Sequence, residues 1–107
     1  MSFYHGSSAL FSVPRLGNGE SHGEAAGAVV GIFSGAFARG VAEQYGRYLY
    51  AFELEEVGDE VLLPHYQALE SLAEEGALPP VAIVKNWAGD EVAITDLERI
   101  RNFRRIR

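Results

Sequence analysis

The sequence offers few side chains that could do chemistry, and the familiar arrangements of them are missing. It has three histidines, His5, His22 and His65, and no HxxxH or HExxH pair. A catalytic metal needs about three ligands brought together in space, and no spacing here supplies them. FSGAF (33–37) falls short of the GxSxG elbow that presents a serine nucleophile. GIFSGAFARG (31–40) has glycines but no lysine and the wrong intervals for a phosphate-cradling loop. What remains is a sparse set at the ends of apolar runs: His5-Gly6-Ser7, Gly31 and Phe33, Tyr45, and Glu91. Each has an ordinary structural reading. His5 could cap a turn, Phe33 and Tyr45 could be core aromatics, and Glu91 could be an edge-strand carboxylate.

The scaffold that must position them is small. The chain has 107 residues, 48% apolar and 22% charged, which suits one domain (1–107) with a modest core. There is no apolar run of about 18 residues to span a membrane. MSFYHGSS lacks the basic and apolar regions of a signal peptide. Cysteine is absent, which excludes disulfides and thiolate metal sites. These features predict a cytoplasmic domain. The net charge of −6 argues against tracking nucleic-acid phosphates.

Charge and glycine are both unevenly spread. Eight acids and no Lys or Arg lie between Tyr48 and Val84, whereas LERIRNFRRIR (97–107) holds five of the nine basic side chains. These could be two solvated faces, or the acidic stretch could dock a basic partner protein, as a nucleic-acid mimic does. Nine of the twelve glycines fall within the first 46 residues. Glycine is used where φ is positive or where something approaches the backbone closely, so the N-terminal half reads as ligand-facing.

The expected elements follow from pattern and punctuation. Strands are expected at 2–5, 28–33 (AVVGIF), 47–55, 81–85, 91–95 and 102–106. Segment 11–27 reads mostly as loop, with a helical turn at 24–28. A helix over 36–45 would place Phe37, Val41 and Tyr45 on one face and stop at Gly46. A second helix, HYQALESLAEE, framed by Pro64 and Gly76, would turn Tyr66, Leu69, Leu72 and Ala73 inward. Strands outnumber helices without alternating with them. The expected class is therefore α+β, compact and mainly antiparallel with a few short helices.

Taken together and in order, the motifs resemble the ADP-ribosyltransferase superfamily, in the branch of the poly(ADP-ribose) polymerases and diphtheria toxin. The residues that carry the resemblance are YHGS (4–7), GIF (31–33), AEQY (42–45), YLYAFELEE (48–56) and DEVAITDLERIR (90–101). They span nearly the whole chain. The resemblance implies a split sheet and NAD as donor substrate. His5 would bond the adenosine-ribose hydroxyls, the Gly6 backbone would meet the nicotinamide amide, and Ser7 would add a hydroxyl. Phe33, after Gly31, would sandwich the nicotinamide ring with Tyr45. Glu91 would bond the nicotinamide-ribose 2′-hydroxyl, a contact that strengthens as the sugar becomes oxocarbenium-like.

The departures refine this expectation. Phe33 stands where the family signature has tyrosine, and Gly40 or Val41 where relatives carry a carboxamide-binding serine. Gly89 precedes Glu91 by two positions, which fits poorly with the toxin branch that modifies arginine. The length leaves no room for a regulatory helical domain. The resemblance thus implies a mono-ADP-ribosyltransferase acting on a macromolecular acceptor, a protein ahead of a nucleic acid, of the kind used as a bacterial or phage effector. Two alternatives stand beside it: a degenerate transferase fold that inhibits a partner through its acidic 53–75 surface, and an NAD glycohydrolase. His22, Arg15 and Arg39 are candidates for pyrophosphate or acceptor contact, His65 reads as structural, and Trp87 as a buried plug or part of the acceptor surface.

Overall fold

A computed structural model describes residues 1–17 and 29–107. Seven strands are present: β1 (Ser2–Ser7), β2 (Phe33–Ala36), β3 (Tyr48–Leu54), β4 (Val61–Leu63), β5 (Val81–Val84), β6 (Glu91–Ile94) and β7 (Ile100–Arg105). Two short helices join them, α1 (Arg39–Ala42), which continues into a 3₁₀ turn at Glu43–Tyr45, and α2 (Tyr66–Glu74). The strands form one sheet in the order β4-β5-β6-β2-β1-β3-β7. Only β4 and β5 run parallel. The fold is α+β with a mostly antiparallel sheet. Among the described residues no helix is long and apolar enough to cross a membrane.

The sheet is nearly divided in its middle. β1 and β3 pair continuously from Ser2↔Glu53 to Ser7↔Tyr48, and β2 pairs with β6 over all four residues. Between β1 and β2 the register reduces to one pair, Tyr4↔Ala36. The sheet is nevertheless continuous, so the split that the resemblance implied is not present; β1–β2 is only a thin seam, with β4-β5-β6-β2 on one side and β1-β3-β7 on the other.

Antiparallel partners point to the same face, so the register sorts the side chains. One face carries Tyr4, Gly6, Ser34, Ala36, Leu49, Glu91 and Ala93. Two apolar clusters cover it, one around α2 with Leu63, Leu69, Ala82, Val84 and Ala93, the other under α1 with Ala36, Val41, Ala42 and Leu49. The opposite face carries Phe3, His5, Phe33 and Phe52, with Val81, Val92 and Ile94. Phe103 of β7 closes over this face, 5.2 Å from Tyr50 and 6.0 Å from Phe33 between ring centroids.

The α2 helix forms as its sequence implies. His65 is its N-cap, and its Nδ1 accepts the Ala68 amide at 3.2 Å; Pro64 stands just before the cap rather than in the first turn. Leu69 is fully buried and Tyr66, Leu72 and Ala73 pack around it. At the far end Gly76 takes φ 69°, with Ala77 N–H bonding Leu72 O and Gly76 N–H bonding Ala73 O, a Schellman closure.

Three elements differ from the sequence expectation. Residues 29–32 of AVVGIF form a turn, and the strand starts at Phe33. Gly31, at φ 87°, reverses the chain there. Its N–H bonds Gly17 O at 2.9 Å while Gly17 N–H bonds Ile32 O at 2.7 Å. FSGA, expected to lead into a helix, is instead pinned as β2 between β6 and β1, and the helix shrinks to α1 and its 3₁₀ extension. β4, which the sequence reading left unassigned, is three residues long and lies at the sheet edge. The expected turn at 24–28 and the start of AVVGIF at 28 lie outside the described residues.

The segregated charges meet each other. Arg99 bonds Asp59 through two nitrogens at 2.9 and 2.7 Å, Arg101 bonds Glu55, Arg104 lies 3.9 Å from Glu53 and Arg107 lies 3.0 Å from Glu43. Arg99 holds the Asp59 carboxyl below its ordinary value, chiefly through their hydrogen bonds. The basic tail thus covers part of the acidic stretch, so 53–75 is not a uniformly free acidic face.

Candidate functional site

Glu91 is the one buried charged side chain among the described residues, 2% exposed. Burying a carboxylate is costly, so its surroundings must compensate, and such groups are functional-site candidates. Glu91 opens β6 between Ala36 of β2 and Val84 of β5. Asn86, in the β5–β6 connection, donates to its Oε2 at 3.3 Å. That connection is held by Lys85 on Asp90 at 2.9 Å and by Phe37 N–H on Asp90 O at 3.1 Å.

Glu91 belongs to a row running across the whole sheet. Ala51 pairs with Tyr4, Tyr4 with Ala36, Ala36 with Glu91, Glu91 with Val84, and Val84 with Leu63. All of these side chains share one face. Tyr4 and Glu91 stand two strand spacings apart, about 10 Å at the backbone, with only the methyl of Ala36 between them. Ala36 itself is buried in the α1 cluster, on the β2 side of the β1–β2 seam. Tyr4 and Tyr45, both half-buried, pack against the α1 cluster beside it.

Gly6 shares this face, and its lack of a side chain has a packing cause. A Cβ there would lie 1.9 Å from the Ala42 carbonyl oxygen. The end of α1 rests directly on the β1 backbone, and only glycine admits it. Gly46 does the same from the other side, since a Cβ on it would fall 2.2 Å from the Ser7 carbonyl carbon.

His5 and Phe33 are brought together, but on the opposite face. Their rings stack at 4.3 Å between centroids. The His5 Nδ1–H donates to Ser34 O at 2.6 Å. Burial pushes the His5 pKa down, and the bond to Ser34 partly offsets this. Phe33 is 2% exposed and lies in the cluster of Phe3 and Phe52. Phe33 and Tyr45 are therefore separated by the sheet and do not flank one ring as the resemblance implied. Ser7 Oγ is occupied locally by the Ala9 amide at 3.0 Å.

The other candidates fall as follows. Trp87 stands on the β5–β6 connection and is 91% exposed, which settles it as a surface residue rather than a plug. Arg39 pairs with Glu43 at 3.7 Å. Arg15 lies over the Phe11 ring at 5.9 Å. His65 is the α2 cap, and His22 lies outside the described residues. The residue that sequence reasoning missed is Tyr4. Its signal was the two-residue period of β1, which puts Tyr4 with Gly6 and opposite Phe3 and His5.

Neither a family model, nor a curated protein, nor a solved structure matches the chain.

Proposed function

We propose that the chain is an NAD-dependent mono-ADP-ribosyltransferase in which Glu91 stabilises the nicotinamide ribose as its glycosidic bond to nicotinamide breaks. The observation that carries the reading is the buried Glu91 carboxylate, one strand from the sheet's seam and on one row with Tyr4. The motif order supports it, because Glu91 is the residue that the family resemblance selects. A carboxylate held in place before the reaction faces the developing positive charge without reorganising, a contribution of several kcal/mol in comparable sites.

The division of residues between faces adjusts the roles. Tyr45 and Tyr4 share Glu91's face and supply the aromatic surfaces for the nicotinamide ring, with NAD entering at the seam. His5, on the other face, holds the seam closed at Ser34 and acts as a positioning residue. A nucleophile bonds to the anomeric carbon of the NAD donor as the C–N bond to nicotinamide breaks; nicotinamide leaves neutral with the bonding pair, and the nucleophile's proton passes to solvent. The nucleophile is a macromolecular acceptor, or water in the glycohydrolase alternative. Trp87, 91% exposed on the connection that leads into Glu91, offers the acceptor a stacking surface.

One observation favours the reading as a degenerate fold that binds without turnover: Phe33 is sealed in the core and so is lost as a stacking surface. The decisive experiment is nicotinamide release from NAD by wild type and Glu91→Gln, with a cell lysate as the source of acceptor. Release by wild type and its loss in Glu91→Gln supports the transferase. No release by either protein, or equal release by both, refutes it.

A further inference from the structure

The face turned away from Glu91 contains a cavity of about 160 Å³. Its floor is apolar, made by Phe3, Leu54, Val81, Ile83 and Val92, and three glutamates complete its lining, Glu55, whose carboxylate is held by Arg101, with Glu56 and Glu60. The rim comes from the β3–β4 connection, which must cross from one side of the sheet to its far edge. This connection is anchored at Glu55 by Arg101 and at Asp59 by Arg99. Glu60 uses Oε1 to accept the Val57 amide at 3.1 Å, and Glu56 makes no ion pair among the described residues. The connection is therefore held in place while still offering negative charge above an apolar floor.

We infer that this cavity is a binding site for a small organic cation, an ammonium carried on a ring-sized apolar group. The volume matches the kind of apolar cavity, about 150 Å³, that accepts a benzene-sized guest. Charge complementarity sets the head group. Carboxylates at the rim of a low-dielectric floor attract a cation and repel anions, which excludes nucleotides and carboxylic acids from this site. A neutral apolar guest would gain the floor contacts but leave the rim charge unused. The site is independent of the transferase reading, which concerns the other face of the sheet.

The test is titration of the full chain with phenethylammonium, followed by amide chemical shifts, with phenethyl alcohol as the neutral counterpart. The expected result is saturable shifts confined to strand residues around Phe3, Leu54, Val81 and Val92. The alcohol should bind about five-fold more weakly, the scale of one exposed charge pair. The rim double variant Glu56→Gln/Glu60→Gln should reduce the ammonium to the alcohol's affinity. Ile83→Phe, which fills the cavity, should abolish both. The inference is overturned if the shifts never saturate or lie elsewhere, if alcohol and ammonium bind equally, or if the double variant binds the ammonium as wild type does. Because Glu56 is exposed and a glutamine at the half-buried Glu60 keeps the oxygen that accepts the Val57 amide, that arm stands even if the cavity-filling variant misfolds.

Discussion

The imidazole of His5 donates to the carbonyl of Ser34 at 2.6 Å across the seam where β1 and β2 share one register pair. The side chain takes the place of a ladder hydrogen bond that the parting strands no longer make. An unpaired carbonyl in this position would cost about 1–3 kcal/mol. The half-buried ring also ties the halves together by stacking on Phe33.

This contact makes stability depend on pH. Burial lowers the folded pKa of His5 below its ordinary value of 6.5. The unfolded chain then takes up a proton before the folded one does. The contribution is complete above about pH 6.5 and is lost as pH falls from there through the folded pKa. Urea unfolding at pH 7.5 and 5.5 should show a lower midpoint at the acidic value. His5→Gln, which keeps a donor but cannot titrate, should flatten that change. An equal slope in both proteins would show that other groups set it.

Gly6→Ala should be strongly destabilising. The added methyl meets a backbone oxygen, Ala42 O, not the flexible end of a side chain. Either β1 or α1 must move, and overpacking of this kind costs about 1–3 kcal/mol or more. Chemical denaturation would measure it. A variant as stable as wild type would mean that α1 does not rest on β1.

Trp87 is the only tryptophan and stands on the surface in the β5–β6 connection, four positions before Glu91. Trp87→Ala should change stability by no more than about 0.5 kcal/mol. The native fluorescence maximum should coincide with that of the urea-unfolded chain. A native maximum well to the blue would place the indole in a buried setting and contradict its exposure.

Much of this was legible in the sequence, and the remainder has physical reasons. The alternation in YLYAFEL and the capping signals around α2 depend on neighbours within a few residues, so β3 and α2 were readable. Glu91 was readable as well, since it opens an apolar strand after a turn. FSGA has weak strand character. It becomes β2 because β6 and β1 pair with it and because Gly35 leaves room for Phe52, whose ring would lie 2.6 Å from a Cβ there. Such constraints are tertiary and leave no local trace. The charge segregation was visible, but the pairing of Arg99 with Asp59 and Arg101 with Glu55 joins residues 40 and 46 positions apart. The separation of His5 and Phe33 from Glu91 was half legible. Alternation along β1 sets His5 apart from Tyr4 and Gly6, but which of those faces Glu91 occupies is decided only by the strand order.

The central claim is that NAD binds at the seam beside Glu91, and thermal unfolding with and without millimolar NAD tests it without requiring an acceptor. A ligand at about 100 times its dissociation constant stabilises the fold by about 2.7 kcal/mol. In a domain of this size that should raise the midpoint by about 10 °C. A midpoint unchanged at every NAD concentration would contradict the claim and leave Glu91 a buried carboxylate with another purpose.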